Sequence, residues 1–200
     1  VGVIGSGQMG NGIAHVAALA GFDVVLNDLS SDQLKAAMAI INGNLSRQVS
    51  KKIITEDARD KALARIGQTE SLDGLADCDL VIETAVEKEE VKRKIFHDLC
   101  AVLKPEAIIA SNTSSISITR LASSTDRPER FIGIHFMNPV PLMELVELIR
   151  GIATDDATFD AAKAFVGRLG KQIAVSEDFP AFIVNRILLP MINEAIYTLY

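Results

Sequence analysis

Short apolar runs alternate with longer stretches in which apolar residues recur every three or four positions, and the alternation persists along most of the chain. The runs at residues 1–4, 22–27, 78–83, 107–110, 131–136, 143–150 and 172–176 predict strands. Helical periodicity fills the intervals: from the glycine-rich turn at 5–10 to about residue 20, then 31–49, 56–65, 88–103 and 155–169. Ser30 with Gln33 reads as a capping box, and Thr154 as the N-cap of the last of these helices. Strands alternating with helices predict a doubly wound, Rossmann-like α/β sheet, parallel at first and mixed near its end. The helices at 31–49 and 56–65, joined by a basic turn with Lys51 and Lys52, form a helical-pair insertion after the second strand. Phe179-Pro180 breaks the pattern, and a long apolar helix follows. The expected organisation is a Rossmann-like domain over residues 1–179 and the beginning of an all-helical second domain over 180–200. Val1 already lies in a strand, and Tyr200 in a helical pattern with no stop signal, so the chain is expected to be a fragment whose second domain is incomplete.

The turn Gly5-Ser6-Gly7-Gln8-Met9-Gly10 fits GxGxxG. Alone that pattern is weak. Here a strand precedes it, a helix follows, and Asp28 closes the second strand 18 residues after Gly10, which is the context a dinucleotide site requires. Gly5 permits the tight turn, Gly7 lets backbone approach a pyrophosphate, and Gly10 allows close helix–strand packing. The N–H groups of Gln8 and Met9 lie at the helix start, whose positive dipole end faces the phosphates. Asp28 would accept hydrogen bonds from ribose hydroxyls and repel a 2′-phosphate, which favours NAD over NADP.

His135-Phe136-Met137-Asn138-Pro139-Val140-Pro141 places an imidazole at the end of one apolar strand, and Glu147 follows 12 residues later inside the next. Strand alternation sets Glu147 on the face of Leu145 and Ile149, where a lone carboxylate is costly unless held. A His–Glu pair is a proton-transfer device, because the carboxylate fixes the imidazole tautomer and raises its basicity. A satisfied core histidine with Glu147 at a sheet edge is the alternative. Ser111-Asn112-Thr113-Ser114-Ser115 follows a strand and could hold a substrate oxygen, or form a helix N-cap or turn cluster. Glu83, Glu87 and Lys92 surround the end of another strand, or form a solvated helix start. Asn185 sits between apolar neighbours, where an unpaired amide is costly and helix-core hydrogen bonding is the plain alternative.

Composition narrows the classes. The 200 residues are 48% hydrophobic, enough for a substantial core, and the net charge of −6 argues against nucleic acid or an anionic membrane surface as partner. No apolar run reaches membrane-span length and no signal peptide precedes the first strand, so a cytoplasmic location is expected. Cys78 and Cys100 read as reduced core thiols, and His15, His97 and His135 form no metal-ligand pattern. Asn44-Leu45-Ser46 and Asn112-Thr113-Ser114 match the glycosylation sequon by chance.

Taken with Phe182-Ile183-Val184-Asn185-Arg186, these segments resemble the short-chain L-3-hydroxyacyl-CoA dehydrogenases, within them the bacterial 3-hydroxybutyryl-CoA enzymes, over essentially the whole chain. The HF-x-NPVP segment is the specific part. The resemblance implies a catalytic dyad at His135 and Glu147, substrate-oxygen contacts at Ser114 and Asn185, and nicotinamide-side contacts at Glu87 and Lys92. Asn112 and Ser114 are counted with the cofactor contacts, beside Asp28 for the adenosine ribose. It further implies NAD as cofactor, an acyl-CoA substrate, and a homodimer formed through the helical second domain. Lys51 and Lys52 could meet coenzyme A phosphates, or form a solvated charge run. One departure appears at Pro180-Ala181, where the family usually has Pro-Gly. The rival readings are a related NAD-dependent sugar-acid dehydrogenase and a non-catalytic dinucleotide-binding protein. The β-hydroxyacid dehydrogenases proper fit less well, since they rely on a lysine.

Overall fold

The computed structural model describes residues 1–200. Eight strands form one sheet: β1 (Gly2–Ile4), β2 (Val24–Asn27), β3 (Ile66–Thr69), β4 (Leu80–Glu83), β5 (Ile108–Ser111), β6 (Phe131–Phe136), β7 (Leu145–Arg150) and β8 (Gln172–Glu177). Their spatial order is β3-β2-β1-β4-β5-β6-β7-β8. Every pair is parallel except β6 with β7. The chain therefore winds outward from β1 in both directions, and a crevice opens beyond the carboxyl ends of β1 and β4. The helices are α1 (Gln8–Leu19), α2 (Ser31–Ser50), α3 (Glu56–Ala64), α4 (Glu89–Cys100), α5 (Ile118–Ala122), α6 (Asp156–Arg168) and α7 (Val184–Leu199). None of them is long and apolar enough to cross a membrane.

Side-chain alternation along the strands builds two cores. Val3, Leu26, Ile82, Ala110, Ile134 and Leu148 face α1, α2 and α6, meeting Ile13, Ile41 and Phe165. Ile4, Val81, Ile109, Phe131 and Ile149 face the other way, onto Phe96 and Leu99 of α4 and Leu121 of α5. The central strands are buried on both sides, which explains their continuous apolar runs.

Several expectations change. The strand β3 is absent from the predicted set because Ile66-Gly67-Gln68-Thr69 buries only Ile66. It forms because the open edge of β2 needs partners: Val24 to Asn27 pair with Ile66 to Thr69, and the Asn27 amide adds a bond to the Thr69 carbonyl. The short α5 is likewise unpredicted. Asp155, not Thr154, caps α6, by accepting the Thr158 N–H at 2.7 Å. The Thr154 hydroxyl is turned inward and donates to the Phe131 carbonyl. Only half of the Ser30–Gln33 capping box forms: Ser30 Oγ accepts the Gln33 N–H, while the Ser30 N–H goes to Asp28 Oδ1. Cys78 is buried, but Cys100 is only half-buried.

After β8, the residues Asp178–Ile183 lead into α7. Ala181 and Phe182 are both left-handed there, at φ +69° and +51°. Asp178 anchors the turn by accepting the Ser117 hydroxyl and the N–H groups of Ile118 and Thr119 at the start of α5. The helix α7 carries Pro190 internally and buries none of its residues.

Candidate active site

The glycine turn closes over the end of β1. Gly5 takes φ +89°, a conformation open to glycine at little cost. A Cβ on Gly10 would stand 1.7 Å from the Gly5 carbonyl oxygen, so this helix start tolerates no side chain. A Cβ on Gly7 would meet nothing within 4 Å. The backbone there faces open space, as an approaching pyrophosphate needs. The helix α1 begins at Gln8, inside the motif, with no side-chain cap and no acidic residue in its first turn. Its Gln8 and Met9 N–H groups and dipole are left for an anion.

Asp28 borders this turn. Its Oδ2 accepts both the N–H and the hydroxyl of Ser6 at 2.8 Å, and its Oδ1 accepts the Ser30 N–H. Partial burial pushes the carboxyl up, but the bonds from Ser6, Ser30 and Leu29 outweigh it and hold Asp28 below its ordinary value. The residue is an ionised acceptor with lone pairs to spare, suited to ribose hydroxyls. These features fit a bound dinucleotide.

Beyond the ends of β4 and β5 lies a buried ionic network. Glu83 and Lys92 are almost wholly buried, so the reading of a solvated helix start fails for both, while Glu87 keeps part of its surface exposed. Lys92 Nζ donates to Glu83 Oε1 at 2.7 Å and to the Ala85 carbonyl at 3.2 Å, and pairs with Glu87 Oε2 at 3.2 Å. Its three donors are thereby occupied. Burial pushes the Glu83 carboxyl up, against the pull of Lys92, Ser111 and the Ala85 N–H. Glu87 is pushed up by burial but brought lower overall by Thr113, Lys92 and Ser114.

Glu87 also organises the loop after β5. Its Oε1 accepts the Thr113 hydroxyl, the Ser114 N–H at 3.0 Å, and the hydroxyls of Ser114 and Ser115. Thr113 in turn accepts the N–H groups of Ser115 and Ile116. The loop is thus a turn cluster pinned by a carboxylate, and the cap of α5 is Ser117. Asn112 ties the loop to β6 by accepting the Phe136 N–H at 2.8 Å.

His135 and Glu147 stand directly opposite each other in the antiparallel β6–β7 pair. His135 Nδ1 lies 2.7 Å from Glu147 Oε2, and Glu147 is fully buried. The other oxygen, Oε1, accepts the N–H groups of Ile183 and Val184 at 2.9 and 2.8 Å, where α7 begins. Burial raises the Glu147 carboxyl, yet the bonds from His135, Val184 and Ile183 bring it below the ordinary range. With Nδ1 committed to a carboxylate, Nε2 is the ring nitrogen free to exchange a proton with a ligand. Asn185, in the first turn of α7, donates from Nδ2 to the Ser114 carbonyl at 3.2 Å.

A cavity of about 610 Å³ gathers Met9, Glu87, Lys92, Asn112, Ser114, His135 and Asn185 on one surface. Glu147 sits behind His135 and does not line it. Gly7 and Gln8 line a neighbouring cavity of about 490 Å³, whereas Gly5, Gly10 and Asp28 line neither. Asn138 lines both cavities. It and Met143 are site residues that sequence reasoning passed over, although the HFMNPVP run itself pointed to Asn138. Thr84, whose hydroxyl donates to the carbonyls of Ile4 and Gly5, carried no local signal at all.

Residues 1–179 match the family model described as 3-hydroxyacyl-CoA dehydrogenase, NAD binding domain. The chain is 85% identical over 200 residues to a 3-hydroxybutyryl-CoA dehydrogenase of Bradyrhizobium diazoefficiens, covering all of this chain and 68% of that one. It is 41% identical over 195 residues to a 3-hydroxyadipyl-CoA dehydrogenase of Escherichia coli, covering 98% of this chain and 41% of the other. A crystal structure of (S)-3-hydroxybutyryl-CoA dehydrogenase from Ralstonia eutropha superposes with a TM-score of 0.95 at 48% identity, covering 97% of this chain and 69% of that one.

Proposed function

Since the chain belongs to the 3-hydroxyacyl-CoA dehydrogenase family, NAD-dependent oxidoreductases, we propose that it interconverts L-3-hydroxyacyl-CoA and 3-ketoacyl-CoA, with 3-hydroxybutyryl-CoA and acetoacetyl-CoA as the working pair. The observation that carries this reading is the His135–Glu147 pair at 2.7 Å, set on a cavity that also holds Ser114 and Asn185. A protein that only bound a dinucleotide would need no such relay.

Bound NAD supplies the hydride acceptor, and in reduced form the donor. The chain's own residues handle position and the proton. In oxidation His135 Nε2 takes the proton from the substrate C3 hydroxyl; in reduction the imidazolium returns it to the ketone oxygen. Glu147 acts through His135, fixing the tautomer with Nδ1–H toward Oε2 and stabilising the cation once it forms. The Ser114 hydroxyl and the Asn185 amide fix the reacting oxygen, so that geometry is set before transfer. Glu87, held by Lys92, shapes the nicotinamide side. Lys92 works through Glu87 and Glu83, because its own donors are taken.

On the same reading, residues 1–179 are the cofactor domain, and 180–200 begin a helical second domain through which the protein forms a homodimer in the cytoplasm. The apolar residues that α7 exposes on more than one side, Ile187, Leu189, Met191 and Ile196 among them, support a helical partner layer. The deciding assay follows NADH oxidation with acetoacetyl-CoA and with longer 3-ketoacyl-CoA substrates. Turnover of acetoacetyl-CoA with the higher kcat/KM is expected. Preference for a longer chain would replace the C4 assignment, and no turnover of any of them would end the dehydrogenase reading.

A further inference from the structure

The loop between β6 and β7 is held by a residue outside the site. Lys171 immediately precedes β8, and its Nζ donates to the carbonyls of Val140 and Met143, both at 2.7 Å. Those carbonyls bracket the run Val140-Pro141-Leu142-Met143, so a single ammonium closes the loop at both ends. Within it, the N–H groups of Leu142 and Met143 both bond to the Pro139 carbonyl at 3.0 Å. On its far side the loop rests on α1. A Cβ on Gly12 would come within 2.8 Å of Val140 Cβ, so Val140 lies against bare helix backbone. Val140 is itself buried.

The loop is thus clamped between Lys171 and Gly12, and its position matters for function. Asn138 and Met143 line the cavity that holds His135, while Pro139, Val140 and Pro141 line the neighbouring cavity along α1 and α2. The loop is the wall between the two. Nothing in it moves a proton, so a displaced wall changes how substrate is seated rather than the transfer itself.

We propose that Lys171 is a positioning residue for substrate: its paired bonds to Val140 and Met143 set the cavity wall formed by Asn138 and Met143. An ammonium suits this task, since it can donate to two carbonyls at once and its charge strengthens both bonds. Partial burial of Lys171, which pushes its ammonium down against the pull of Glu144, fits a group committed to protein partners.

The consequence for KM rests on the acyl-CoA reading of the cavity; the hold on the loop does not. Two variants of the full-length protein test both. Lys171→Met keeps the stem and removes the donors, whereas Lys171→Arg restores them. Hydrogen exchange at Leu142 and Met143 should quicken in Lys171→Met and return toward the wild-type rate in Lys171→Arg. KM for acetoacetyl-CoA should rise about tenfold in Lys171→Met, the scale of losing charge-assisted bonds. In that variant kcat should stay near wild type, with Lys171→Arg recovering KM. Unchanged loop exchange in Lys171→Met would overturn the hold. Unchanged KM, or a fall in kcat as large as the rise in KM, would overturn the positioning role. Absence of acetoacetyl-CoA turnover in the wild type would instead strike the acyl-CoA reading, and loop exchange would still decide Lys171.

Discussion

The carboxylate of Glu147 accepts the backbone N–H of Val184 at 2.8 Å, 37 residues along the chain and at the first residue of α7. The same carboxylate holds His135, so one buried group both orients the imidazole and seats the helix that brings Asn185 to Ser114. Replacing Glu147 by Gln removes the acceptor facing Nδ1 and lets the ring adopt the other tautomer. Glu147→Gln should lower kcat with acetoacetyl-CoA while NADH affinity stays near wild type. A fully active Glu147→Gln enzyme would leave that residue a structural role only.

The pH dependence of stability follows from the same bonds. The folded Glu147 carboxyl is depressed, so its stabilisation is complete above the unfolded value, about 4.3, and is lost as pH falls through the lower folded value. The melting-temperature gap between wild type and Glu147→Gln should therefore be constant near neutrality and narrow in acid below about pH 4. A gap that widens on acidification would contradict the assigned shift.

His135 separates an enzyme from a binding protein. General acid–base catalysis contributes about 10²–10⁴-fold, so His135→Gln should cut acetoacetyl-CoA turnover by roughly that factor while the folded variant still binds NADH. Steady-state rates beside a fluorescence titration of NADH make the comparison. Wild-type turnover in a folded His135→Gln protein would end the mechanism.

The proposed ribose contact makes Asp28 the residue that selects the cofactor. NADH should be strongly preferred to NADPH by kcat/KM, and Asp28→Ala should weaken NADH binding and narrow that preference. Losing a charged acceptor for the ribose hydroxyls should cost about 1–3 kcal/mol of binding, and stranding the Ser6 N–H and hydroxyl should lower stability as well. Equal kcat/KM for both cofactors in the wild type would refute the ribose assignment.

Ala181 occupies a backbone conformation that suits glycine, at φ +69°. That conformation costs a residue with a Cβ about 1–2 kcal/mol. Glycine's greater freedom in the unfolded chain returns about 0.4–1 kcal/mol of this. Ala181→Gly should therefore raise the melting temperature, by a net stabilisation of at most about 1.6 kcal/mol. A clear fall in melting temperature would mean that the Ala181 methyl has a packing role.

Much of the fold is written locally. Largely apolar runs mark β1, β4 and β6 because strands buried on both faces offer little room for unpaired polar groups, and the spacing from Gly5 to Gly10 marks the turn because only glycine escapes the clash found there. The His135–Glu147 pair was also legible, since an ionisable residue on an apolar strand face demands a partner and strand periodicity says which face that is. Other features escaped this reasoning for want of local signal. The strand β3 exists to satisfy the edge of β2, Asp155 caps α6 because Thr154 is drawn inward by the Phe131 carbonyl, and Lys171 sits in an ordinary polar turn.

The sequence by itself determined the layering of the sheet, the glycine turn, the acid after the second strand and the two strand residues, His135 and Glu147, that pair, because each depends on residues close together or on a regular period. Only the tertiary structure decided what those residues answer to. It buried Lys92 between Glu83 and Glu87, turned the hydroxyls of residues 113–115 onto Glu87, and set the second oxygen of Glu147 on α7. Those contacts join segments distant along the chain, and a donor's partner is settled by which acceptors folding brings within about 3 Å, a distance that no local pattern encodes.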